Sequence, residues 1–173
     1  MKRKIDLWEY AGRILEQVGT GALITTKADG QVNSMTIGWG TLGIEWGKPI
    51  FTAFVRESRY TKQLLEKNGE FTINVPMDDS CKKILGVCGT KSGRDMDKIR
   101  ELGLTLEESE VISVPAIRQL PLTLECKVIY KQDQDPKAIA KENDDRYYAK
   151  GTANENDYHT AYYGQVVAAY IVE

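Results

Sequence analysis

Histidine is almost absent from this chain of 173 residues, with His159 the only one. That excludes a multi-histidine metal site. Cysteine is scarce as well. Cys81, Cys88 and Cys126 are odd in number and have neither the density of a disulfide framework nor the spacing of zinc ligands, so they are expected as reduced thiols, mostly in the core. Surplus positive charge is missing: the formal net charge is -2 and the pI near 5.6, so no global field attracts DNA or RNA and no nucleic-acid partner is expected. Long apolar runs are also missing. The longest, Val166 to Val172, is far below the ~20 residues of a membrane helix, so no membrane span is expected. The start Met1-Lys2-Arg3-Lys4 is basic, but Asp6 and Glu9 interrupt any apolar stretch behind it. Export is therefore not implied, and a cytoplasmic location is expected.

What is present suits one globular domain over residues 1–173. Hydrophobic residues make up 42% and charged residues 28%, and a chain of this length buries roughly 70% of its unfolded surface. Leu7, Tyr10, Ala11, Ile14, Leu15 and Val18 recur at helical spacing, with Asp6 and Glu9 placed as a capping box and Gly19 as a stop. An amphipathic helix over about 6–18 follows. Residues 22–26 and 31–37 read as strands joined by Asp29-Gly30, a tight hairpin turn. Residues 50–55 form a strand running into Ser58, a good helix N-cap for Leu64 and Leu65. Phe71 to Val75 is a strand ending at Pro76, and Cys81, Ile84, Leu85 and Cys88 mark one face of a helix stopped by Gly89. Alternation from Leu120 to Tyr130 predicts a half-buried strand. Residues 132–156 are polar and predict loop with one short helix. Thr160 to Val172, apolar on both faces, predicts a central or interface strand. Strands interrupted by short helices, without βαβ alternation, favour a mainly β, α+β barrel over about 20–172 with helical decorations.

Four motifs bear on chemistry. Gly38-Trp39-Gly40-Thr41-Leu42-Gly43 fits the dinucleotide pattern G-x-G-x-x-G, but Gly47 and Pro49 follow too soon for the helix that must receive a pyrophosphate. Loop flexibility, or close approach to a flat ligand, explains these glycines better. Arg56-Glu57-Ser58-Arg59-Tyr60-Thr61 lies at a strand-to-helix junction, where free N–H groups and the helix dipole favour an anion. It reads equally as a plain N-cap with solvated arginines. Thr90-Lys91-Ser92-Gly93-Arg94-Asp95 is a second anion-friendly loop or an ordinary charged turn. Asn33-Ser34-Met35-Thr36-Ile37-Gly38-Trp39 can hydrogen-bond the edge of a heterocycle and pack its face, or can present Met35, Ile37 and Trp39 to a core. No cysteine is marked as activated, and the paired carboxylates read as solvated surface. The chemistry is borne by a cofactor, or there is none.

Taken in order, these segments resemble the flavin reductase-like family of FMN-binding split barrels, which includes flavoredoxins. The match runs through Asn33-Ser34-Met35-Thr36 with Trp39, Arg56 to Thr61, Gly69 to Pro76, Cys88 to Asp95 with Asp97-Lys98, Leu124-Glu125-Cys126, and His159 leading to Tyr163-Gly164-Gln165-Val166. Gln165 stands where many relatives carry Glu. The resemblance implies a homodimer of split barrels with noncovalent FMN at or near the dimer interface, and redox chemistry performed by the flavin ring. It implies that Asn33, Ser34, Met35, Thr36 and Trp39 address the ring or ribityl chain. Arg56, Ser58, Arg59 and Thr61 would serve the phosphate end, Lys91 and Ser92 would lie near the flavin, and His159 with Tyr163 would complete the pocket. It also implies NADH or NADPH as electron donor for a flavin reductase, or, for a flavoredoxin-type carrier, a redox partner protein instead.

Overall fold

The computed structural model describes all residues, 1–173. A short strand, β1 (Lys2–Lys4), precedes helix α1 (Leu7–Thr20). Asp6 caps α1 by accepting a hydrogen bond from the Trp8 N–H at 2.8 Å, while Leu7, Ile14 and Val18 face the core. The helix passes the expected stop at Gly19 and ends at Gly21, whose φ of 135° only glycine adopts easily. Strands β2 (Ala22–Ala28) and β3 (Gln31–Ile37) form the predicted hairpin, and positive φ at both Asp29 and Gly30 matches a primed turn.

Residues 38–47 are not the loop that their glycines suggested. They contain strand β4 (Gly40–Glu45), which turns through Trp46-Gly47, both at positive φ, into β5 (Lys48–Arg56). Helix α2 (Tyr60–Lys67) and strand β6 (Glu70–Val75) come next. A 3₁₀ turn at Asp79–Cys81 leads into α3 (Lys82–Thr90), and α4 (Lys98–Glu101) is a single turn. Two-residue strands β7 (Leu106–Glu107) and β8 (Ala116–Ile117) pair with each other. The long strand β9 (Leu122–Asp133), helix α5 (Lys141–Tyr147) and strand β10 (His159–Val172) complete the chain.

The main sheet is antiparallel, in the order β3-β2-β6-β9-β10-β5-β4, with β1 added to the far end of β10. It curls over a core of Ile24, Phe51, Phe71, Ile73, Leu124 and Tyr162, to which the buried face of α1 adds Ile14 and Val18. Alternation along β9 predicted half burial, yet Thr123 and Glu125 are buried along with Leu122, Leu124 and Cys126. The reason is a covering segment on the second face: the Glu125 carboxylate accepts the backbone N–H groups of Glu110, Val111 and Ile112. Helix α3 seals a smaller cluster of Leu23, Cys81, Cys88, Leu104, Ile117 and Leu120. All three cysteines are buried and free, and burial pushes each thiol above its ordinary value. They are packing residues, as the periodicity implied. The architecture is α+β, a mainly antiparallel split barrel with decorating helices. No helix is long and apolar enough to cross a membrane.

Candidate functional site

Two clefts lie side by side where β3, the end of β5 and the start of β10 meet the turn into α2. The first has a volume of about 180 Å³ and is lined by Met35, Thr36, Ile37, Gly38, Trp39, Phe54, Arg56, Arg59, Gly89 and His159. The second, about 100 Å³, takes in Asn33, Met35, Ser58, Arg59, Thr61, Gly89, Lys91, Ser92, Gly93, Arg94 and Lys98 among its walls. Met35, Arg59 and Gly89 belong to both, so the two form one composite cleft with a flat apolar end and a cationic end.

At the apolar end the side chains are held by the sheet and its neighbours. Thr36 donates its hydroxyl proton to the Leu85 carbonyl at 2.6 Å, leaving only acceptor capacity toward the cleft. Trp39 sits 5.0 Å from the His159 ring and 5.0 Å from that of Tyr147. The Arg56 guanidinium lies over Trp39 and Tyr148 and donates to the Asp157 carbonyl at 2.8 Å. His159 is 5% exposed. Burial first, then the nearby Arg56 charge, pushes its imidazole down to about 4. The ring is therefore neutral at pH 7. The Tyr148 hydroxyl donates to Gln134 Oε1 at 3.1 Å and lies 2.7 Å from His159 Nδ1. The hydroxyl thus ties Nδ1 and Gln134 together, and Nε2 is the ring nitrogen outside that contact.

At the cationic end, Arg59, Lys91, Arg94 and Lys98 converge with no carboxylate among the lining residues. Arg94 donates to the Ser58 carbonyl at 3.0 Å and lies over the Tyr60 ring. Lys98, 3% exposed, donates to the carbonyls of Cys88 at 3.4 Å and Lys91 at 3.2 Å. Its ammonium thus caps the C-terminus of α3 without a counter-charge, and burial lowers its pKa. Gly93 is pressed against this floor: a Cβ there would lie 2.1 Å from Asn33 Oδ1 and 2.8 Å from Tyr60 Cδ1.

Most residues singled out in the sequence meet here, in altered roles. Ser58 does not cap α2. Arg59 stands at the N-cap, while the Ser58 N–H and hydroxyl both bind the Asp157 carboxylate, at 2.9 and 2.6 Å. Thr61 is buried and accepts from Asn33 Nδ2 at 3.1 Å, so this pair shapes the wall from inside. Ser34 lies outside both clefts, because strand alternation turns its hydroxyl to Thr25, 2.8 Å away in the core. Tyr163 is also outside them. It pairs in register with Thr52 and Tyr130, four residues up β10 from His159, and its ring packs on Tyr130. Arg94 and three further contributors went unassigned in the sequence. Lys98 is a lysine at a buried position, Gly93 a glycine in a charged loop, and Asp157 a carboxylate 99 residues from its partner Ser58. Gly93, Arg94 and the Asp97-Lys98 pair carried a signal, as part of the resemblance.

Comparison with known proteins fits this geometry. A family model described as flavin reductase like domain matches residues 18–173. The crystal structure of a flavoredoxin from Methanosarcina acetivorans superimposes with a TM-score of 0.67 and 25% identity, over 88% of this chain and 68% of that one. An FMN-binding domain of a flavin reductases-like enzyme from Shewanella baltica shares the fold, with a TM-score of 0.70 and 20% identity over 99% of this chain and 77% of that one. A sequence relative from Archaeoglobus fulgidus, described as an uncharacterized protein, is 34% identical over 97 residues, 56% of this chain. The match spans about half of that relative's length, 54%. With the family model covering the chain from the end of α1 through the last strand, the chain belongs to the family of the flavin reductase like domain.

Proposed function

We propose that the composite cleft holds FMN noncovalently and that the protein is an NAD(P)H-dependent flavin oxidoreductase. One observation carries the reading: a wall of Met35, Ile37, Trp39 and Phe54 continues, through Arg59 and Gly89, into four cations without a carboxylate. A flat ring with a phosphorylated tail matches that sequence of surfaces. The family and the FMN-binding likeness of the Shewanella structure support the same cofactor. When bound, the flavin supplies the redox chemistry. The chain binds and orients it: Arg59, Lys91, Ser92, Arg94 and Lys98 would serve the phosphate, and Met35 and Trp39 would pack the ring. Neutral His159 would offer a ring nitrogen rather than a charge.

The test is a titration of FMN and riboflavin against the wild type and Arg59→Ala. Loss of a charge-assisted bond weakens FMN by roughly 10- to 100-fold, while riboflavin affinity is unchanged. Equal loss for both ligands removes Arg59 from the phosphate, and no FMN binding by the folded protein ends the proposal.

A flavoredoxin-type electron carrier is the second reading, favoured by the likeness to the Methanosarcina flavoredoxin. Anaerobic bleaching of bound FMN by NADH or NADPH supports the reductase. Reduction only by dithionite or a protein donor supports the carrier. The proposal includes a homodimer, supported by exposed Ile44 and Trp46 at 71% and 60%, with Tyr130 edge-on to Trp46 and Tyr163 tilted against Tyr130. Sedimentation at two concentrations tests it. A cytoplasmic location belongs to the same proposal.

A further inference from the structure

Trp39 has a second function in the geometry, because it walls an additional cleft beyond the composite one. This cleft, about 290 Å³, is lined by Trp39, Gln134, Ile139, Asn143, Tyr147 and Tyr148. Five of its six residues come from the polar segment between β9 and β10, with Tyr147 the last residue of α5 and Tyr148 following it. Its lining contains no charged side chain. It offers aromatic faces, one aliphatic side chain and two amides. Gln134 is oriented by its neighbours: Oε1 accepts from the His159 N–H at 3.1 Å and from Tyr148 at 3.1 Å. Its amide nitrogen is therefore the group left to donate. Trp39 remains 40% exposed, so part of its ring is free to stack.

We propose that this alcove binds a small quinone, a planar uncharged ring bearing two carbonyl oxygens. The lining carries no carboxylate, while Arg56 lies over Trp39 and Tyr148 and Arg146 over Tyr147, so the alcove selects against ammonium groups, which find no partner there. Trp39, Tyr147 and Ile139 suit the faces of one or two fused rings, and the size lies near the lower end of small-molecule pockets, ~300 Å³. The Gln134 and Asn143 amides supply donors for two acceptor oxygens. The proposal's consequence rests on the flavin reading above. A quinone held against the wall shared with the flavin cleft would take two electrons and two protons from reduced flavin and leave as hydroquinone, with the flavin returned to its oxidised form. The binding itself does not depend on that cofactor.

The test is calorimetric titration of 2-methyl-1,4-naphthoquinone into the flavin-free protein and into protein saturated with FMN, beside the wild-type FMN titration. We expect binding in both forms, with no displacement of FMN. Asn143→Ala, which removes an amide found only on the alcove wall, weakens the quinone about five- to tenfold and leaves the FMN dissociation constant unchanged. Unaltered quinone affinity in Asn143→Ala, one-for-one displacement of FMN, or no quinone binding by protein with native circular dichroism overturns the proposal. Quinone binding without FMN binding leaves the alcove standing and removes the flavin reading instead.

Discussion

The two ends of the composite cleft are built on opposite plans. At the apolar end, Thr36, Arg56 and His159 are tied to Leu85, Asp157 and Tyr148, and the chemistry is set by burial. At the cationic end, a buried Lys98 is tied to the end of α3, but Arg59 and Lys91 are exposed side chains on loops, converging with no opposing carboxylate on the cleft wall. The difference teaches how shape and affinity are divided. The locked end fixes where a ring lies, and the open end supplies charge that is screened by solvent and salt. Acid should therefore disturb the first end, and ionic strength the second.

The largest expected effect is the acid response of His159. Its folded-state pKa of about 4 lies below the ordinary 6.5, so protons favour the unfolded chain. The stabilisation from keeping the ring neutral is present in full above about pH 6.5 and is lost as pH falls through about 4. A gap of that size corresponds to ~3 kcal/mol at its limit. Because the chain has one histidine, a single ring resonance in the proton spectrum reports the titration. A midpoint near 6.5 would show that this end of the cleft is not closed to water.

Gly93 packs within the cationic end, against Asn33 and Tyr60. Gly93→Ala places a methyl group inside the packing distance of Asn33 and Tyr60, which costs about 1–3 kcal/mol by overpacking. Denaturant midpoints measure the loss. An FMN titration of the same variant should show weaker binding, because the loop can relieve the clash only by moving Lys91 and Ser92. Unchanged stability and affinity would mean that the loop shifts without consequence.

How much of this was legible follows the range of the interactions. The β2-β3 hairpin was readable because Asp29-Gly30 states its turn locally, and the Asp6 cap of α1 was readable for the same reason. Strand β4 was not, since glycines at 40 and 43 weaken the strand pattern and an edge strand needs only one partner, here β5. Ser58 looked like an N-cap because its sequence neighbourhood suits one. What it binds, Asp157, is supplied by a segment whose own composition says only that it is polar. Likewise, the alternation that turns Ser34 away from Asn33 and Met35 was present in the sequence, but the face bearing the cleft was not. The resemblance located the cleft's residues as a set. Only packing divided them into residues that face it and residues that hold those residues in place.

The smallest effect is the sharpest test of the open end. Lys91 lies on the cleft wall with an exposed side chain, so its attraction for a phosphate passes largely through solvent and contributes about 0.2–1 kcal/mol. Lys91→Ala should weaken FMN only a few-fold, and the difference from wild type should shrink as salt rises from 0.01 to 1 M, where the Debye length falls from about 30 to 3 Å. Riboflavin, which lacks the phosphate, should show neither the loss nor the salt dependence. If riboflavin binding falls in step with FMN, Lys91 acts on the ring rather than on the anion. The division between a locked apolar end and an open charged end would then be misplaced by at least this residue.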